Sequence, residues 1–462
     1  MNNEQKVKHL MARAGFGLSP ENFLQKTKTP YLKIVQKLLV PTKPKPVKTP
    51  YHNKLSPKAY RNLTKEQKKK VRKEIQRLTT EVNRNWLNQM ITNDSQPLLE
   101  KMTLFWHGHF ACEAKRYDFA AQYINTLRQH ALGNFRDLVL AIAKDAAMII
   151  YLNNQQNKKN KPNENFAREL MELFTIGRGN YSEQDVKESA RAFTGWFANK
   201  SDGSFNFKAE QHDSGSKTFM GKTGNFDGDD IIDIILENKQ TARYLCQKIY
   251  RYFVCDKVDE NRIESLSTIL YNSNYDIARL MRHIFESPWF YESSYVGSKI
   301  KSPIELQIGL AKILRMRFDT ANAGIYIQRA LGQVLLRPPN VAGWPGGKAW
   351  IDNSTLMLRL NLGAYLVQKS NLQLNVKNGP EEMALKTPKQ LAVSTDLMPL
   401  EKMLSGMQPQ TKATVLLGYL LASSLKNEAA FIQQLSTTQE IQKDSTKEML
   451  SRILSLPEFQ LC

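Results

Sequence analysis

The sequence predicts an all-α protein, one large multi-helix unit over residues 1–462 with at most a small β-hairpin. Apolar residues recur at helical spacing in nearly every periodic segment. Helix start signals are strong, as at Ser302-Pro303-Ile304-Glu305, where an N-cap residue, a Pro and a Glu follow one another. Strand-like alternation appears at residues 204–208, which could pair with residues 217–220 as the hairpin.

The individual helices follow from their start and stop signals. Ser19-Pro20 supplies an N-cap and a Pro at the first helical position, and Ser182 with Asp185 has the form of a capping box. The expected helices cover residues 9–14, 20 onward, 64–91, 97–107, 120–132, 135–152, 163–177 and 182–196, and further helices begin near 231, 241, 263, 277 and 303. Residues 337–347 are too rich in Pro and Gly for regular structure.

Positive charge is concentrated in one segment. The chain carries a formal net charge of +21, and residues 41–77 hold thirteen Lys and Arg against two Glu, a net charge of +11. We interpret residues 41–77 as a basic, Pro- and Lys-rich insertion within the helical unit. Such a segment could bind an acidic partner or an anionic polymer, or it could simply be a solvated surface. Only Tyr51 and Tyr60 are interleaved there, which disfavours nucleic acid.

The apolar runs, the first thirty residues and the cysteines indicate the cellular compartment. No run of eighteen apolar residues occurs, so no membrane span is expected. Residues 1–30 lack the apolar core of a secretory signal, which predicts a cytoplasmic protein. The four cysteines show no Cys-x-x-Cys spacing and fit a reducing compartment, although one disulfide stays open as an alternative.

The helix expected over residues 163–177 carries the best candidate for chemistry. At about 100° per residue, Asn165, Glu169 and Glu172 form a stripe along the edge of its apolar face. Glu169 and Glu172 could share a site in which one carboxyl has a raised pKa and serves as an acid. Asn165 would then contact substrate. The alternative is that both carboxylates form structural ion pairs, with Arg168 or Arg191.

Two histidines stand close together in Phe105-Trp106-His107-Gly108-His109-Phe110. On a continuous helix, His107 and His109 would point about 200° apart. If Gly108 ended the helix, both rings could converge on a divalent metal. The alternative places one histidine in the core and the other at the surface.

A further group of candidates lies around the expected hairpin. His212 and Asp213 occupy a polar loop, where they could act as general base or acid, or complete a metal site. Arg191, near the end of its helix, could hold an anionic group with two parallel hydrogen bonds. A salt bridge from Arg191 to Glu169 or Glu172 is the alternative.

The Pro- and Gly-rich loop offers candidates for substrate binding. Asn340, Trp344 and Trp350 lie in or beside it. A rigid loop with Trp and Asn suits stacking against sugar rings and recognition of hydroxyl groups. Alternatively, the indoles cap the helical core.

Several of these motifs together resemble the bacterial "domain of unknown function 1800" family. The resemblance rests on His9-Leu10 with Arg13-Ala14-Gly15-Phe16-Gly17, the Phe105–Phe110 block, the helix at residues 163–177, residues 190–196, His212-Asp213 with Phe219-Met220-Gly221, the loop from Arg337 to Pro345, and the closing Ser455-Leu456-Pro457-Glu458-Phe459-Gln460. It extends from about His9 to Gln460.

The resemblance implies a large, mostly helical unit without a settled activity. Members are often encoded beside a sulfatase-like or phosphatase-like protein that carries an export signal, which implies work at the cell envelope and export together with that partner. This chain departs from the pattern in its basic segment at residues 41–77.

Two functional hypotheses follow, and the sequence leaves open whether the protein is an enzyme. The first is a hydrolase or transferase acting on a sugar or ester, either by acid–base catalysis or with a divalent metal as its cofactor. The second is a non-catalytic partner of an acidic protein or anionic polymer, working with the sulfatase-like or phosphatase-like neighbour.

Overall fold

The computed structural model describes residues 1–51, 57–368, 391–437 and 441–462. Within these ranges the chain forms 22 α-helices and three two-stranded antiparallel sheets, which confirms the all-α class. Buried apolar side chains from the first helix to the last belong to one hydrophobic cluster that includes Trp86 and Trp106. None of the described helices is long and apolar enough to cross a bilayer.

The first third of the chain follows its local signals closely. Its helices are α1 (Asn3–Arg13), α2 (Pro20–Lys26), α3 (Tyr31–Leu38), α4 (Pro57–Arg61), α5 (Lys65–Thr92), α6 (Pro97–His109), α7 (Tyr117–His130), α8 (Phe135–Ala143) and α9 (Ala146–Tyr151). The helix expected over residues 135–152 is split, because the Asp145 carboxylate caps α9 by accepting from the amide of Ala147 at 2.9 Å. Helix α6 continues through Gly108 to His109.

The basic segment begins as an extended strap. Residues 41–51 have no regular secondary structure. Asn125 on α7 nonetheless holds the backbone of Val47, accepting from its amide at 2.7 Å, and Asn85 on α5 donates to the carbonyl of Lys48 at 3.0 Å. The strap is thus hydrogen-bonded to two helices. Residues 52–56, which include the counted Lys54, lie outside the described ranges.

The middle of the chain contains one irregular helix. The elements are α10 (Asn165–Glu169), a π-helix (Leu170–Thr175), α11 (Glu183–Ala192), α12 (Gly228–Glu237), α13 (Lys239–Phe253), α14 (Glu260–Asn272), α15 (Ile277–Glu286) and α16 (Pro303–Ile313). At the end of the π-helix the amide of Ile176 donates to the carbonyl of Met171 at 3.2 Å, five residues back. Two carbonyls of the π-helix accept hydrogen bonds from side chains outside this segment, Leu173 from Tyr244 at 3.0 Å and Phe174 from His109 at 2.9 Å.

The last third packs against the first. Its helices are α17 (Ala321–Leu331), α18 (Asn353–Gln368), α19 (Met398–Met403), α20 (Pro409–Leu420), α21 (Glu428–Thr437) and α22 (Ile441–Leu454). Helix α17 contacts α5, and α19 contacts α2. The loop expected over residues 337–347 contains no helix or strand until a short 3₁₀ turn begins at Gly347.

The strands pair with nearer partners than the alternation suggested. Strand β1 (Trp196–Ala198) pairs with β2 (Phe205–Phe207), β3 (Lys217–Phe219) with β4 (Lys222–Gly224), and β5 (Arg317–Phe318) with β6 (Val393–Ser394). The β3–β4 hairpin turns at Met220 and Gly221, which both have positive φ angles, 46° and 80°. Such two-residue turns match the twist of a hairpin. Residues 205–207 therefore pair with residues 196–198, which begin where the helix expected over residues 182–196 was to end. They do not pair with residues 217–220.

Candidate functional site

Arg191, Asp213 and His212 form one cluster at the base of the two hairpins. Arg191 donates from Nε to Oδ2 of Asp213 at 2.7 Å and from Nη2 to Oδ1 at 3.1 Å. Its Nη1 also donates to Glu188 at 2.8 Å. These bonds from Arg191 lower the pKa of the Asp213 carboxyl, so Asp213 is held as a carboxylate. The bidentate pair fixes the polar loop against α11.

The ring of His212 is oriented by the neighbouring turn. Its Nδ1 donates to the carbonyl of Thr194 at 2.9 Å, and the ring packs edge-on against Phe207 with centroids 5.2 Å apart. This bond places a proton on Nδ1, so Nε2 is the nitrogen that carries the lone pair in the neutral ring. No hydrogen bond reaches Nε2 among the described residues. An imidazole held in this way could accept a proton or bind a ligand through Nε2.

The carboxylate stripe has partners of its own. Glu169 ends α10 and is partly buried, and the burial together with nearby Glu172 raises the pKa of its carboxyl. Glu172 lies in the π-helix, accepts from the hydroxyl of Tyr181 at 2.9 Å and stands 3.4 Å from Nε of Arg178. Asn165, at the start of α10, is exposed. Arg191 pairs with Asp213 rather than with either of these glutamates.

Arg168, which is prominent in the same motif, pairs elsewhere. It donates to Glu183 with two bonds of 2.8 Å and lies 3.1 Å from Glu164. Arg168 thus joins α10 to the start of α11, and its ion pairs are with Glu164 and Glu183 rather than with Glu169 or Glu172.

The two histidines of α6 point to opposite sides of the helix. His107 accepts from the amide of Leu336 at Nε2, at 3.0 Å, and stacks on Trp344 with ring centroids 5.2 Å apart. His109 donates from Nε2 to the carbonyl of Phe174 in the π-helix. Burial lowers the pKa of each ring to about 3, with Lys248 adding to the effect at His109. The structure therefore does not bring the two rings together.

The described residues contain no group of three or more His, Cys, Asp or Glu side chains that could hold a metal ion. His107, His109 and His212 each have separate partners, as described above. A metal-binding role for His107 and His109 stays a prediction.

A wide cleft lies beside the Pro- and Gly-rich loop. It is a cleft of about 1390 Å³ bounded by α5, the end of α17, the loop and the start of α18. Among its lining side chains are four cations, two carboxylates and two indoles: Arg72, Lys115, Arg329, Arg337, Glu113, Asp352, Trp344 and Trp350. Trp344 is partly exposed, whereas Trp350 is 9% exposed and presents little surface.

Asn340 has a local role in the same loop. Its side-chain oxygen accepts from the amide of Ala342 at 2.9 Å, which closes a turn, and the residue is exposed. Asn340 is not among the residues that line the cleft. Its proposed contact with substrate therefore requires a ligand that extends past the cleft rim.

Buried polar groups fix the loop that forms the cleft wall. Asn83 donates to the carbonyl of Leu335 at 3.1 Å, and Gln328 accepts from the amide of Leu335 at 3.0 Å. Leu336 has a φ angle of 69°, a conformation that a Leu rarely adopts, and its amide bonds His107. These contacts come from α5, α17 and α6, so three helices position the loop.

The loop also touches the α6 backbone directly. Gly343 has a φ angle of 81° and lies against the carbonyl of Gly108. Two of the motifs noted in the sequence, the Phe105–Phe110 block and the Arg337–Pro345 loop, therefore form one packed unit.

The sequence predicted a binding role for Arg72 only as part of the basic segment at residues 41–77, and it did not indicate the other cations of the cleft. Arg72, Lys115 and Arg329 belong to separate segments, and nothing local indicates that they line one cleft. Arg337 is the first residue of the loop motif, and its position directly before two prolines could have indicated a cation held on a rigid loop.

The protein family described as "Protein of unknown function (DUF1800)" matches residues 9–461, nearly the whole chain, which confirms the resemblance noted in the sequence. No curated protein and no solved structure matches the chain.

Proposed function

The chain belongs to the DUF1800 family, and from that premise and the geometry of its cleft we propose that it binds an anionic sugar polymer. The observation that carries this proposal is the meeting of Arg72, Arg329 and Arg337, from three separate elements, with the indole of Trp344 on one cleft. On this proposal a sulfatase-like or phosphatase-like partner acts on the same polymer.

The size of the cleft favours an extended ligand. Pockets for small molecules commonly have volumes of about 300 to 1,000 Å³, and this cleft reaches about 1390 Å³. It runs between α5 on one side and the start of α18 on the other. A chain of several sugar units fits such a shape better than one small molecule does.

The charges of the cleft favour an anionic ligand. Four cations and two carboxylates line the cleft, so its lining carries a net positive charge. Guanidinium groups recognise sulfate, phosphate and carboxylate groups through parallel hydrogen bonds. The cleft therefore suits a polymer that carries such groups at intervals.

The aromatic and rigid character of the wall favours a sugar. Trp344 is held by His107 on one side and lines the cleft. The hydrogen bonds to Leu335 and Leu336 fix the loop before any ligand arrives, which reduces the entropy lost on binding.

A matched pair of variants on one helix tests the proposal. Arg72 lines the cleft, whereas Lys69, one turn earlier on α5, is exposed and does not. Dextran sulfate serves as the probe and neutral dextran as its control, with affinity measured by titration calorimetry at two salt concentrations. We expect Arg72→Glu to weaken binding of dextran sulfate about tenfold, which corresponds to about 1.4 kcal/mol, and Lys69→Glu to leave the affinity nearly unchanged.

Two results would contradict this function. An equal loss in Arg72→Glu and Lys69→Glu would mean that the general charge of α5, rather than the cleft, attracts the polymer. Equal affinity for dextran sulfate and neutral dextran would mean that the arginines of the cleft do not recognise negative charge on the polymer.

A second candidate function rests on Glu169 and Glu172. Glu169 is partly buried with a raised pKa, and it makes no hydrogen bond through its carboxyl among the described residues. Glu172 is held by Tyr181. With its raised pKa, the Glu169 carboxyl could donate a proton to a leaving group beside Glu172, which would suit hydrolysis or transfer on a sugar or ester. Asn165 on α10, and His212 with Asp213 and Arg191, would then contribute to binding or proton transfer.

Activity measurements separate this candidate from simple binding. Purified protein would be assayed on chromogenic glycosides and esters, with Glu169→Gln as the test variant and Glu164→Gln, on the preceding turn, as its control. Turnover that disappears only in Glu169→Gln would support the acid role, and turnover unchanged in both would exclude it. Elemental analysis of the same preparation tests the metal-assisted version, in which a divalent ion binds at His107 or at His109.

A further inference from the structure

The face of α5 that borders the cleft continues beyond it toward the start of the helix. The α5 side chains that line the cleft are Arg72, Ile75, Gln76 and Thr79. At about 100° per residue they share one sector of the helix surface, the cleft sector, which extends from Arg72 about 60° to Ile75 on one side and about 40° to Gln76 on the other. Helix α5 begins at Lys65, so about two turns of it precede the first cleft residue. The side chains of these two turns therefore determine what a ligand meets at this end of the cleft.

Two lysines occupy the cleft sector in those two turns. Lys65 lies about 20° from Arg72 around the helix axis, and Lys68 lies about 40° from it on the opposite side. With a rise of about 1.5 Å per residue, they stand about 10 Å and about 6 Å from Arg72 along the axis. Lys69 and Lys73 lie outside the sector, at about 60° and about 100°. A line of three cations, Lys65, Lys68 and Arg72, thus leads along α5 into the cleft.

The three cations of this line are accessible to a ligand. Lys65 and Arg72 are exposed, and Lys68 is partly exposed. The Lys68 ammonium donates to the carbonyl of Arg61 at 3.0 Å, and an ammonium has two further hydrogens to donate. No ion pair joins any of the three to a carboxylate in the part of the chain that the structure describes. Their positive charge is therefore available to an external anion.

The acidic residues of this half of α5 lie away from the cleft sector. Glu66 pairs with Lys70 at 3.6 Å, and Glu74 pairs with Arg77 at 2.8 Å. The two glutamates are about 120° and about 160° from Arg72 around the axis. The sector therefore carries positive charge, without an intervening carboxylate, from the start of α5 to the cleft.

We propose that a polymer bound in the cleft continues along this line as far as Lys65, so that the ligand is a linear polyanion at least about 20 Å long. This inference rests on the proposed function and adds a second binding segment to it. The length is the axial distance from Lys65 to Thr79, the last α5 residue in the cleft. Successive cations on the line lie about 5 Å apart along the axis, which suits a polymer with negative charges at similarly short intervals.

The two segments recognise different properties of the ligand. A lysine ammonium is a flexible point charge that attracts an anion without demanding one geometry, whereas a guanidinium binds with paired hydrogen bonds. The lysines of the line therefore respond to the charge and length of the polymer. The cleft, with Arg72 and Trp344 in its lining, responds to its sugar units.

Two sulfated sugars of different length test this extension. Dextran sulfate is a polymer, whereas sucrose octasulfate is a disaccharide and is too short to span about 20 Å. Titration calorimetry on the full chain at about 0.15 M ionic strength limits the reach of general charge to about 8 Å. We expect Lys65→Gln/Lys68→Gln to bind dextran sulfate about tenfold more weakly, because two contacts are lost, and to bind sucrose octasulfate as the original chain does.

The matched control is Lys69→Gln/Lys73→Gln. It removes the same charge from neighbouring positions of α5 that lie outside the cleft sector, and it should leave both affinities nearly unchanged. Gln has nearly the helix propensity of Lys, so both double variants keep α5 helical.

The extension and the proposed function fail in different ways. Equal affinity for dextran sulfate in the two double variants would overturn the extension, because the position of the lysines would then not matter. An equal loss for both probes in Lys65→Gln/Lys68→Gln would also overturn it, since the loss would not depend on ligand length. In both cases Arg72→Glu still weakens binding of sucrose octasulfate if the cleft binds anionic sugars. If Arg72→Glu left that affinity unchanged, the proposed function itself would fail, and the extension with it.

Discussion

Gly343 and Gly108 are in such close contact that a Cβ atom added to Gly343 would stand 2.3 Å from the carbonyl oxygen of Gly108. No side chain fits at that distance without a shift of the backbone. The contact joins the α6 backbone to the loop that carries Trp344. The position of that indole in the cleft thus depends on a residue without a side chain.

We therefore expect Gly343→Ala to destabilise the protein by about 2 kcal/mol or more, because both the positive φ angle and the close contact oppose a side chain. Chemical denaturation would measure the loss. The matched control is Gly346→Ala in the same loop, where an added Cβ meets no atom within 4 Å and the φ angle is −104°. If Gly343→Ala and Gly346→Ala unfolded at the same denaturant concentration, the contact would have no energetic weight.

Replacing His107 tests the hydrogen bond to Leu336. His107→Phe keeps an aromatic ring between Trp86 and Trp344 but leaves the Leu336 amide without its acceptor. We expect a loss of about 1 to 3 kcal/mol in unfolding free energy. His283→Phe, at an exposed position on α15, should change it by less than about 0.5 kcal/mol. A stability of His107→Phe equal to that of the original chain would contradict the role given to this bond.

Stability should fall as the pH is lowered below about 6.5. Burial lowers the pKa of His9, His107 and His109 to about 3, so the folded chain keeps them neutral while the unfolded chain protonates them. The unfolded state thus binds up to three more protons, at about 1.4 kcal/mol per pH unit each. Burial raises the pKa of Asp145 to about 6, which offsets one of these protons below that pH.

Denaturation at pH values between 7 and 5 would measure this dependence. The slope should be about 2 kcal/mol per pH unit at pH 6.5, where the unfolded histidines are half protonated, and rise to about 3 kcal/mol per pH unit near pH 5, where Asp145 offsets one of the three protons. His107→Phe should reduce the slope by about one proton's contribution. Unfolding free energy that stays constant or rises between pH 6.5 and 5 would be inconsistent with three neutral, buried histidines.

The Arg191–Asp213 pair should hold the His212 loop in place. Arg191→Lys loses the bidentate geometry, and we expect a cost of about 1 to 2 kcal/mol with faster hydrogen exchange in residues 212–217. Arg168→Lys is the control, because Arg168 makes a similar bidentate pair with Glu183 in a more exposed setting, where ion pairs contribute little. If hydrogen exchange in residues 212–217 were unchanged in Arg191→Lys, the Arg191–Asp213 pair would not be what holds this loop.

Much of the helical framework could be predicted from local signals. Ser19, Thr64, Ser182 and Ser302 accept from backbone amides at the starts of their helices, and these caps depend only on neighbouring residues. Partners distant in the chain were harder to predict. The strand Phe205–Phe207 could have paired with the segment before it or with the segment after it. The turn at Met220-Gly221 pairs β3 with β4, and Phe205–Phe207 pairs with β1.

The candidate site shows the same limit. Arg191 and Asp213 proved to be neighbours, yet the sequence offered Glu169 and Glu172 as equally good partners for Arg191. Gly108 could have ended its helix, which would have let both histidines converge, but the helix continues to His109. Arg72 and Arg337 line one cleft because α5 packs against α17, and that packing could not be predicted from the spacing of residues in the sequence.

The π-helix at Leu170–Thr175 takes up one residue more than an α-helix would need over the same rotation. Its hydrogen bonds span five residues instead of four, so its six residues turn the chain about as far as five α-helical residues would. Deleting one residue there and restoring the α-helical pattern would therefore keep the side chains before and after the segment on nearly the same faces. It would instead remove the wide turn whose carbonyls, at Leu173 and Phe174, accept from Tyr244 and His109. The extra residue thus serves the contacts of this segment with α13 and α6.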